Sequence, residues 1–508
     1  MELNKGSRTA NAAKNAISSL LNKFVILGLT FISRRLFIQY IGVEYLGING
    51  LFGNILTLLS MADLGLGTAM NVSLYKPIAQ NDTKKLSALL YYYSKIYIYI
   101  ACAVTIIGLS LIPFLKYLVN MEQDIPHLYL YYVIFVLQSS LSYLFIYKSA
   151  ILYADQKTYI INKIDIYINL LKVIIQMLAI YFLHSFLAFI LISIIFVLIR
   201  NIVVAHKANK EYPFIREHNS LSVEEKKGIF SNVFSIFLYK IAWSLLNGTD
   251  NILMSAMIGT VFVGFYSNYL TITTNIETFI ALLFNSLTAG IGNLIATSTA
   301  KHCYSTFKTM QLISFWLCGI VSVCLFYLMQ DFIVLWVGEK LLLDNLTLIA
   351  IVVNVFFSTC MRPVWTFREG TGMYHQIRYI MIVTAIVNLV LSVILGKLLG
   401  ISGILFATSI SKISTYFWYE PRILFKKHFE KPVHSYYLMH LKNVFTMCLC
   451  LLICYYPMKM IAATSFIYWL LKAIICFVIV NVVYFILNNK TDEFSSIKQK
   501  ISNVFSYR

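Results

Sequence analysis

The sequence is poor in charged residues, and acidic residues are the scarcer kind. Asp, Glu, Lys and Arg make up 12% of its 508 residues, whereas an ordinary soluble chain has about 25%. Hydrophobic residues make up 59%, and the mean hydropathy is +0.75. This composition excludes a soluble globular enzyme and a disordered chain. A polytopic membrane protein remains, because only a bilayer accepts so much continuous apolar surface.

Motifs that carry chemistry are also missing. The nine cysteines form no C-x-x-C pair and no Cys/His spacing typical of a metal site, so we predict neither a disulfide scaffold nor a bound metal. There is no G-x-x-x-x-G-K-[S/T] phosphate loop, and no D-x-D pair occurs among the acidic residues of the predicted outer loops. Those acidic residues are Glu122, Asp124, Asp331, Glu339 and Asp344. We therefore predict no enzymatic activity and no cofactor.

The chain contains fourteen apolar segments long enough to cross a bilayer, which predicts an all-α polytopic fold. They cover about 15–40, 45–72, 88–115, 128–154, 161–183, 185–206, 228–256, 259–296, 308–329, 345–366, 377–396, 402–420, 441–460 and 466–487. Of the 41 Lys and Arg residues, 29 fall on one side of this arrangement, four on the other and eight within the segments. Because basic residues concentrate in cytoplasmic loops, both termini are predicted to be cytoplasmic. The net charge of +19 then mostly orients the chain, and nucleic acid binding is not predicted.

The segments group into two lobes of six. We predict an N-terminal lobe at 1–206, a cytoplasmic linker at 207–227 and a C-terminal lobe at 228–420. A cytoplasmic loop at 421–440, two further helices at 441–487 and a cytoplasmic tail at 488–508 follow. A weak repeat supports this division, because 41–47 (IGVEYLG) resembles 258–264 (IGTVFVG) with an offset of 217 at both glycines. Six segments is an even number, so the lobes are parallel repeats, typical of a transporter with its pathway between them.

Basic residues within apolar segments are the part of the charge that orientation does not explain. Arg34 and Arg35 lie in the outer half of the first segment, and Lys240 lies in the seventh. The polar residues of the first segment favour Arg34 as the residue facing protein or water, with Arg35 turned outward. A guanidinium in a wet cavity suits a phosphate or pyrophosphate, because its fork matches two oxygens. We therefore predict Arg34, Arg35 and Lys240 as substrate-binding residues.

Three acidic residues also fall within apolar segments: Asp63, Asp250 and Glu277. Two interpretations are open. Each is either a buried partner of Lys240 or an arginine, or a protonatable or cation-binding group that couples transport to a gradient of H⁺ or Na⁺. We take these residues as the candidate ion-coupling set.

The sequence also resembles a known group of proteins. The blocks that carry the resemblance are Arg34 with 42–52 (GVEYLGINGLF), 58–65 (LLSMADLG), 74–77 (LYKP), and, in the second half, Asp250-Asn251, Gly259, Gly264 and 266–269 (YSNY). Together they are similar to the polysaccharide repeat-unit flippases of the multidrug/oligosaccharidyl-lipid/polysaccharide (MOP) exporter superfamily. In that pattern Arg34 matches the basic position of the first segment and Asp63 the acidic position of the second.

The resemblance implies a MATE-like fold and a function. The implied function is the flipping of undecaprenyl-pyrophosphate-linked repeat units from the cytoplasmic to the outer leaflet of a bacterial inner membrane, for O-antigen or capsule assembly. It also implies a polysaccharide polymerase and other assembly proteins as partners. Three alternatives stay open: a lipid II-type flippase, a multidrug/cation antiporter, and a membrane polysaccharide polymerase. The basic excess within the segments argues against the antiporter, and the short outer loops argue against the polymerase.

Overall fold

The computed structural model describes residues 8–506 apart from 61–69, 71–72, 76, 79, 122–124, 156, 218, 227–243 and 247. In this part of the chain every regular element is a helix, which confirms the predicted all-α fold. Eight helical stretches here are long and apolar enough to cross a membrane, or ten if each of two bent helix pairs counts as one. The chain therefore has the composition and helix lengths of a multi-pass membrane protein.

The chain forms two compact units, and the first comprises Met1–Gly264. Its helices are α1 (Arg8–Tyr40), α2 (Val43–Leu59), α3 (Thr83–Ser110), α4 (Leu128–Ser142), α5 (Tyr147–Ala154), α6 (Thr158–Leu183) and α7 (Phe186–Glu211). Polar caps fix two of the starts: the Asp82 carboxylate accepts from the Lys85 amide at 2.9 Å, and the Ser185 hydroxyl from the Ala188 amide at 3.3 Å. Helices α4 and α5 meet at a bend of 47°.

Helices α1 and α6 pack side by side and run in the same direction. Asn162 donates to the Ser18 hydroxyl at 3.0 Å near their starts, and the rings of Tyr40 and Tyr181 lie 5.5 Å apart near their ends. If two membrane-spanning helices run in the same direction, an even number of crossings separates their starts. This agrees with the prediction that these helices are the first and fifth crossings, since both run from the same side.

The second unit comprises Phe265–Arg508, so the division falls in the second turn of α8. The helices from this point are α8 (Thr260–Asn285), α9 (Thr288–Thr297), α10 (Ala300–Val337), α11 (Asn345–Cys360), α12 (Arg362–Thr371), α13 (Tyr374–Ser414), α14 (Tyr416–Leu424), α15 (His434–Met460), α16 (Phe466–Asn488) and α17 (Asp492–Ser506). Helix α13 spans the predicted eleventh and twelfth segments, and Gly400 breaks it with a φ of 62°. Helices α11 and α12 meet at 41°.

Two sequence expectations about acidic and basic residues of this unit were wrong. Asp331 was expected in an outer loop, but it lies in α10, because that helix continues to Val337. There its carboxylate pairs with the Lys472 ammonium of α16 at 2.5 Å. Arg368 falls between the predicted segments 345–366 and 377–396, where a loop is expected, but residues 362–371 are helical and this side chain is buried. A prediction from apolar runs ends each helix at its first charged residues. A charged residue that has a partner of opposite charge can instead lie inside the helix, as these two do.

Cysteines contribute to the apolar core of the second unit. Cys450 and Cys454 of α15 are fully buried in a cluster that also contains Cys318, Cys360 and Cys476, while Cys448 is exposed. All nine cysteines are free thiols. Small soft side chains such as those of Cys450 and Cys454 fill gaps between closely packed helices.

Candidate functional site

The two copies of the sequence repeat adopt the same local structure. Gly42 precedes α2 with a φ of 108°, and Gly259 precedes α8 with a φ of 149°. These values favour glycine, because a Cβ would clash with the neighbouring carbonyl. In both copies the second repeat glycine, Gly47 or Gly264, lies five residues later in the first turns of the helix. The 217-residue offset therefore marks equivalent turns between consecutive helices.

The two copies also pack against each other, and the contact is reciprocal. A Cβ on Gly47 would overlap the Thr260 carbonyl oxygen, and a Cβ on Gly264 would lie 2.6 Å from the Val43 carbonyl oxygen and 3.1 Å from the Gly47 nitrogen. Only glycine at both positions lets the two backbones come this close. We call this the glycine contact (Gly47 with Thr260 and Gly264). It joins α2 and α8 backbone to backbone at these residues, and the Val43 and Val263 side chains pack beside it.

A neighbouring loop holds the α8 side of the glycine contact. The Thr260 amide donates to the Asn120 carbonyl at 2.8 Å, and the Asn120 amide donates to the Thr260 hydroxyl oxygen at 3.0 Å. The Ser255 hydroxyl donates to the Leu118 carbonyl at 2.6 Å. These bonds satisfy polar groups at the start of α8 and fix it to the chain after α3. By the predicted orientation this is the outer end of the helices.

The predicted substrate-binding residues fall in different environments. Arg34 is half-buried on α1, and Arg35, one position on, is exposed. Lys240 lies outside the described residues, as does Asp63 of the predicted ion-coupling set. The difference between the two arginines matches the 100° that separates successive side chains around a helix. Arg34 is therefore the one whose guanidinium is enclosed by protein.

Asp250 lies in the first unit, in the helical stretch that precedes Gly259 and Gly264, the two glycines of the second repeat copy. Its side chain is half-buried, and one of its carboxylate oxygens is inaccessible to solvent. The next residue, Asn251, is buried. Asp250 and Asn251 therefore place two adjacent polar side chains in this helical stretch.

Glu277 lies on α8 in the second unit, and two polar side chains from other helices meet it. The Ser358 hydroxyl of α11 donates to its carboxylate, and the Arg362 guanidinium donates to its backbone carbonyl at 3.5 Å. The Arg362 guanidinium also stacks on the Trp365 ring, 5.2 Å from its centroid. One guanidinium nitrogen of Arg362, Nε, is buried without a hydrogen-bond partner in the part of the chain that the structure describes. This arrangement combines the Glu277 carboxylate with the Arg362 guanidinium, one nitrogen of which has no hydrogen-bond partner among the described residues.

Sequence reasoning missed Arg362 as a site candidate. It lies at the end of the predicted segment 345–366 and was assigned to the basic residues that orient the chain. The available signal was its place directly after an apolar run, followed by Pro363, which favours the first turn of a helix.

A second missed pair is wholly buried. The Arg368 guanidinium of α12 donates to the Glu420 carboxylate of α14 at 3.2 Å, and both side chains are nearly inaccessible to solvent. Such a pair links two helices through charges that already neutralise each other. Within the described residues, no three His, Cys, Asp or Glu side chains converge as a metal site would require.

Comparisons with known proteins identify solved structures that share this fold. No family model matches the sequence, and no curated protein matches it. Solved structures do match over most of the chain. The lipid II flippase MurJ, in an inward closed conformation, matches 94% of this chain and 98% of its own with a TM-score of 0.70 at 15% identity. The chain therefore has the same fold as this flippase.

Two further structures bear out that likeness. A multidrug resistance transporter of the MATE family, in an inward-facing conformation, matches 80% of this chain and 98% of its own with a TM-score of 0.62 at 14% identity. A MOP superfamily transporter from Pyrococcus furiosus, described as having a binding pocket of reversed polarity, matches 84% and 98% with a TM-score of 0.55 at 13% identity. The expected MATE-like architecture is thereby confirmed, and it extends to the flippase.

Proposed function

We propose that this protein is a flippase that moves a lipid-linked oligosaccharide across the bacterial inner membrane by alternating access. The observation that carries the proposal is the extent of the structural likeness. The lipid II flippase matches 94% of this chain, whereas the multidrug transporter matches 80%. A likeness that covers more of the helices favours a lipid-linked cargo over a small cation.

The glycine contact supports alternating access as the mechanism. Opening a pathway at one end of a transporter requires two helices to separate there. At its closest point the contact is between backbones, so the helices can separate there without a rotamer change at Gly47 or Gly264. The repeat places one glycine turn at the same position of each lobe, as expected if the two lobes move against each other.

The charged residues have distinct roles in this proposal. Arg34, assisted by Lys240, holds the pyrophosphate, and its half-buried position strengthens the attraction because little water competes. Arg35, exposed beside it, acts at the membrane interface. Asp63, Asp250 or Glu277 changes protonation or binds Na⁺ during the cycle. The prenyl tail stays in lipid, and both termini are cytoplasmic. A polysaccharide polymerase and other assembly proteins are the partners in this proposal.

The test uses a strain in which this chain is the only flippase for its surface polymer. Arg34→Ala should abolish surface polysaccharide and leave lipid-linked units in the inner leaflet, while Arg34→Lys keeps part of the signal because the charge remains. Arg35→Ala removes the same charge from the adjacent exposed position, and an equal loss of polysaccharide in this variant would show that both arginines hold the substrate. Normal polysaccharide in Arg34→Ala at normal protein level would remove Arg34 from the mechanism.

A lipid II-type function is the second candidate, and the match to the lipid II flippase favours it. Both candidates carry a pyrophosphate-linked cargo, so the arginine variants do not separate them. The lipid-linked species that accumulates after depletion of this chain does. Accumulated peptidoglycan precursor supports the second candidate, and accumulated repeat units support the first.

A further inference from the structure

The second unit contains a cavity whose lining includes none of the residues assigned to the proposed transport. Its volume is about 290 Å³, and it lies between α10, α15, α16 and the start of α17. The polar lining includes Lys308 and Lys442, and the apolar lining includes Leu312, Phe315 and Met439. Such a volume holds about ten water-sized groups. A ligand that fits it has a polar end and an apolar end.

Positive charge exceeds negative charge at the polar end. The Lys308 ammonium pairs with the Glu493 carboxylate at 2.5 Å. Lys442 makes no ion pair with a described side chain, and its charge acts on the same carboxylate. Burial raises the pKa of Glu493, but the hydrogen bond from Lys308 and the charges of both lysines outweigh it and lower that pKa. Two ammonium groups and one carboxylate thus line the cavity, so its lining is net positive, while the Asp492 carboxylate acts on Lys308 from outside the lining.

The cavity borders the surface that faces lipid. Leu441 and Phe445 flank Lys442 on α15 and are 66% and 70% exposed, which for apolar side chains of a membrane helix means contact with acyl chains. Both lysines lie eight residues inside their helices, or roughly 12 Å from the helix ends. Helix α10 is roughly 57 Å long, against about 30 Å for the hydrocarbon core. Lys308 and Lys442 therefore lie at headgroup depth, on the side predicted to be cytoplasmic.

We propose that this cavity binds the phosphate of an anionic membrane phospholipid, which bridges Lys308 and Lys442 and displaces Glu493 from Lys308. The lipid's first methylene groups then lie against Leu312 and Phe315. A phosphate monoanion satisfies both ammonium groups, which the single carboxylate does not. Because Glu493 is in the first turn of α17, the lipid and the docked helix compete for one cation.

The ring contacts next to the cavity provide a readout. The Trp316 ring stacks on Tyr484, with centroids 6.0 Å apart, and on Phe494 of α17, with centroids 6.1 Å apart. Displacement of Glu493 by lipid moves Phe494 away from Trp316. Tryptophan fluorescence that changes with anionic lipid in the natural chain, and not in Trp316→Phe, reports this movement.

The main experiment measures lipid retention on the purified full chain by native mass spectrometry, with phosphatidylglycerol as the anionic probe and phosphatidylcholine as the neutral one. Lys308→Gln with Lys442→Gln should weaken phosphatidylglycerol retention about thirtyfold, or about 2 kcal/mol, from about 1 kcal/mol for each interfacial lysine. The control, Lys301→Gln with Lys426→Gln, removes the same charge from exposed lysines outside the cavity. Glu493→Gln should increase retention, because it removes the competing carboxylate.

Three results overturn the proposal. The first is equal retention of the neutral and anionic lipids. The second is a control pair that loses as much retention as the cavity pair. The third is displacement of the lipid by equimolar inorganic phosphate, which would assign the cavity to a soluble phosphate. Because Glu493→Gln predicts a gain, a folding defect in the lysine variants cannot imitate the full pattern. None of these readouts depends on transport, so the site and the proposed function fail independently.

Discussion

The glycine contact makes a sharp prediction at Gly47. Alanine at this position adds a Cβ that overlaps the Thr260 carbonyl oxygen and lies 3.0 Å from the carbonyl carbon. Both atoms are backbone, and the bonds between Thr260 and Asn120 prevent them from moving aside. Helices α2 and α8 must therefore move apart instead.

The size of the effect follows from the overlap. Non-bonded carbons sit at about 3.5–4.0 Å, so the carbonyl carbon alone requires a separation of about 0.5–1 Å, and the deeper overlap with the carbonyl oxygen requires more. Overpacking of this kind costs about 1–3 kcal/mol. The cost applies only while the helices touch and disappears once they part. Gly47→Ala should therefore shift the equilibrium toward the separated state about 5- to 150-fold.

The assay uses a buried reporter on the opposite helix. Val263 of α8 is fully buried, and a Cβ on Gly50 would lie 3.2 Å from its side chain. In a background where the exposed Cys102 and Cys448 are serine, Val263→Cys reacts with a bulky maleimide only when the helices separate. Purified protein carrying Gly47→Ala should be alkylated faster by the factor above.

Gly53 provides the matched control for this measurement. It lies on the same helix, and a Cβ there would meet no atom within 4 Å. Gly53→Ala should leave the alkylation rate unchanged and raise helix stability by about 1 kcal/mol. If the two alanine variants label at the same rate, while both are folded and equally expressed, the glycine contact does not restrain α2 against α8.

Three further predictions concern charged residues. Arg368→Met should lower the free energy of unfolding by about 3–5 kcal/mol, because it leaves the Glu420 carboxylate buried and unpaired. Thermal unfolding in detergent measures this loss. Adding Glu420→Gln to the same variant should recover most of it. A hydrogen bond from Lys85 of α3 to Glu225 of the linker lowers the pKa of Glu225. The stabilisation from this bond is fully present above the pKa of the unfolded chain, about 4.3, and is lost as the pH falls through the lower pKa of the folded state. Pepsin should then cleave the linker faster as the pH falls, whereas Glu225→Gln is cleaved at the faster rate throughout. Glu277→Gln should make transport insensitive to a proton gradient if Glu277 carries the coupling proton, and unchanged sensitivity in a vesicle assay would exclude that role.

The helices and their approximate order were predictable from the sequence, since apolar length and charge placement are local properties. The ends were less so. Asp331 and Arg368 look like loop charges in the sequence, yet each lies in a helix because a distant partner neutralises it, Lys472 for one and Glu420 for the other. No local pattern contains that partner, since 141 residues separate Asp331 from Lys472.

The candidate site divides in the same way. The sequence by itself determined that Arg34, Asp250 and Glu277 lie in apolar helices and that one glycine turn occurs twice, because the cost of burying a charge and the steric freedom of glycine belong to single residues. Only the tertiary structure decided that the two glycine turns touch and that Arg362 meets Glu277. Such pairings depend on how helices pack, and packing is set by the fit of whole surfaces brought together from distant parts of the chain.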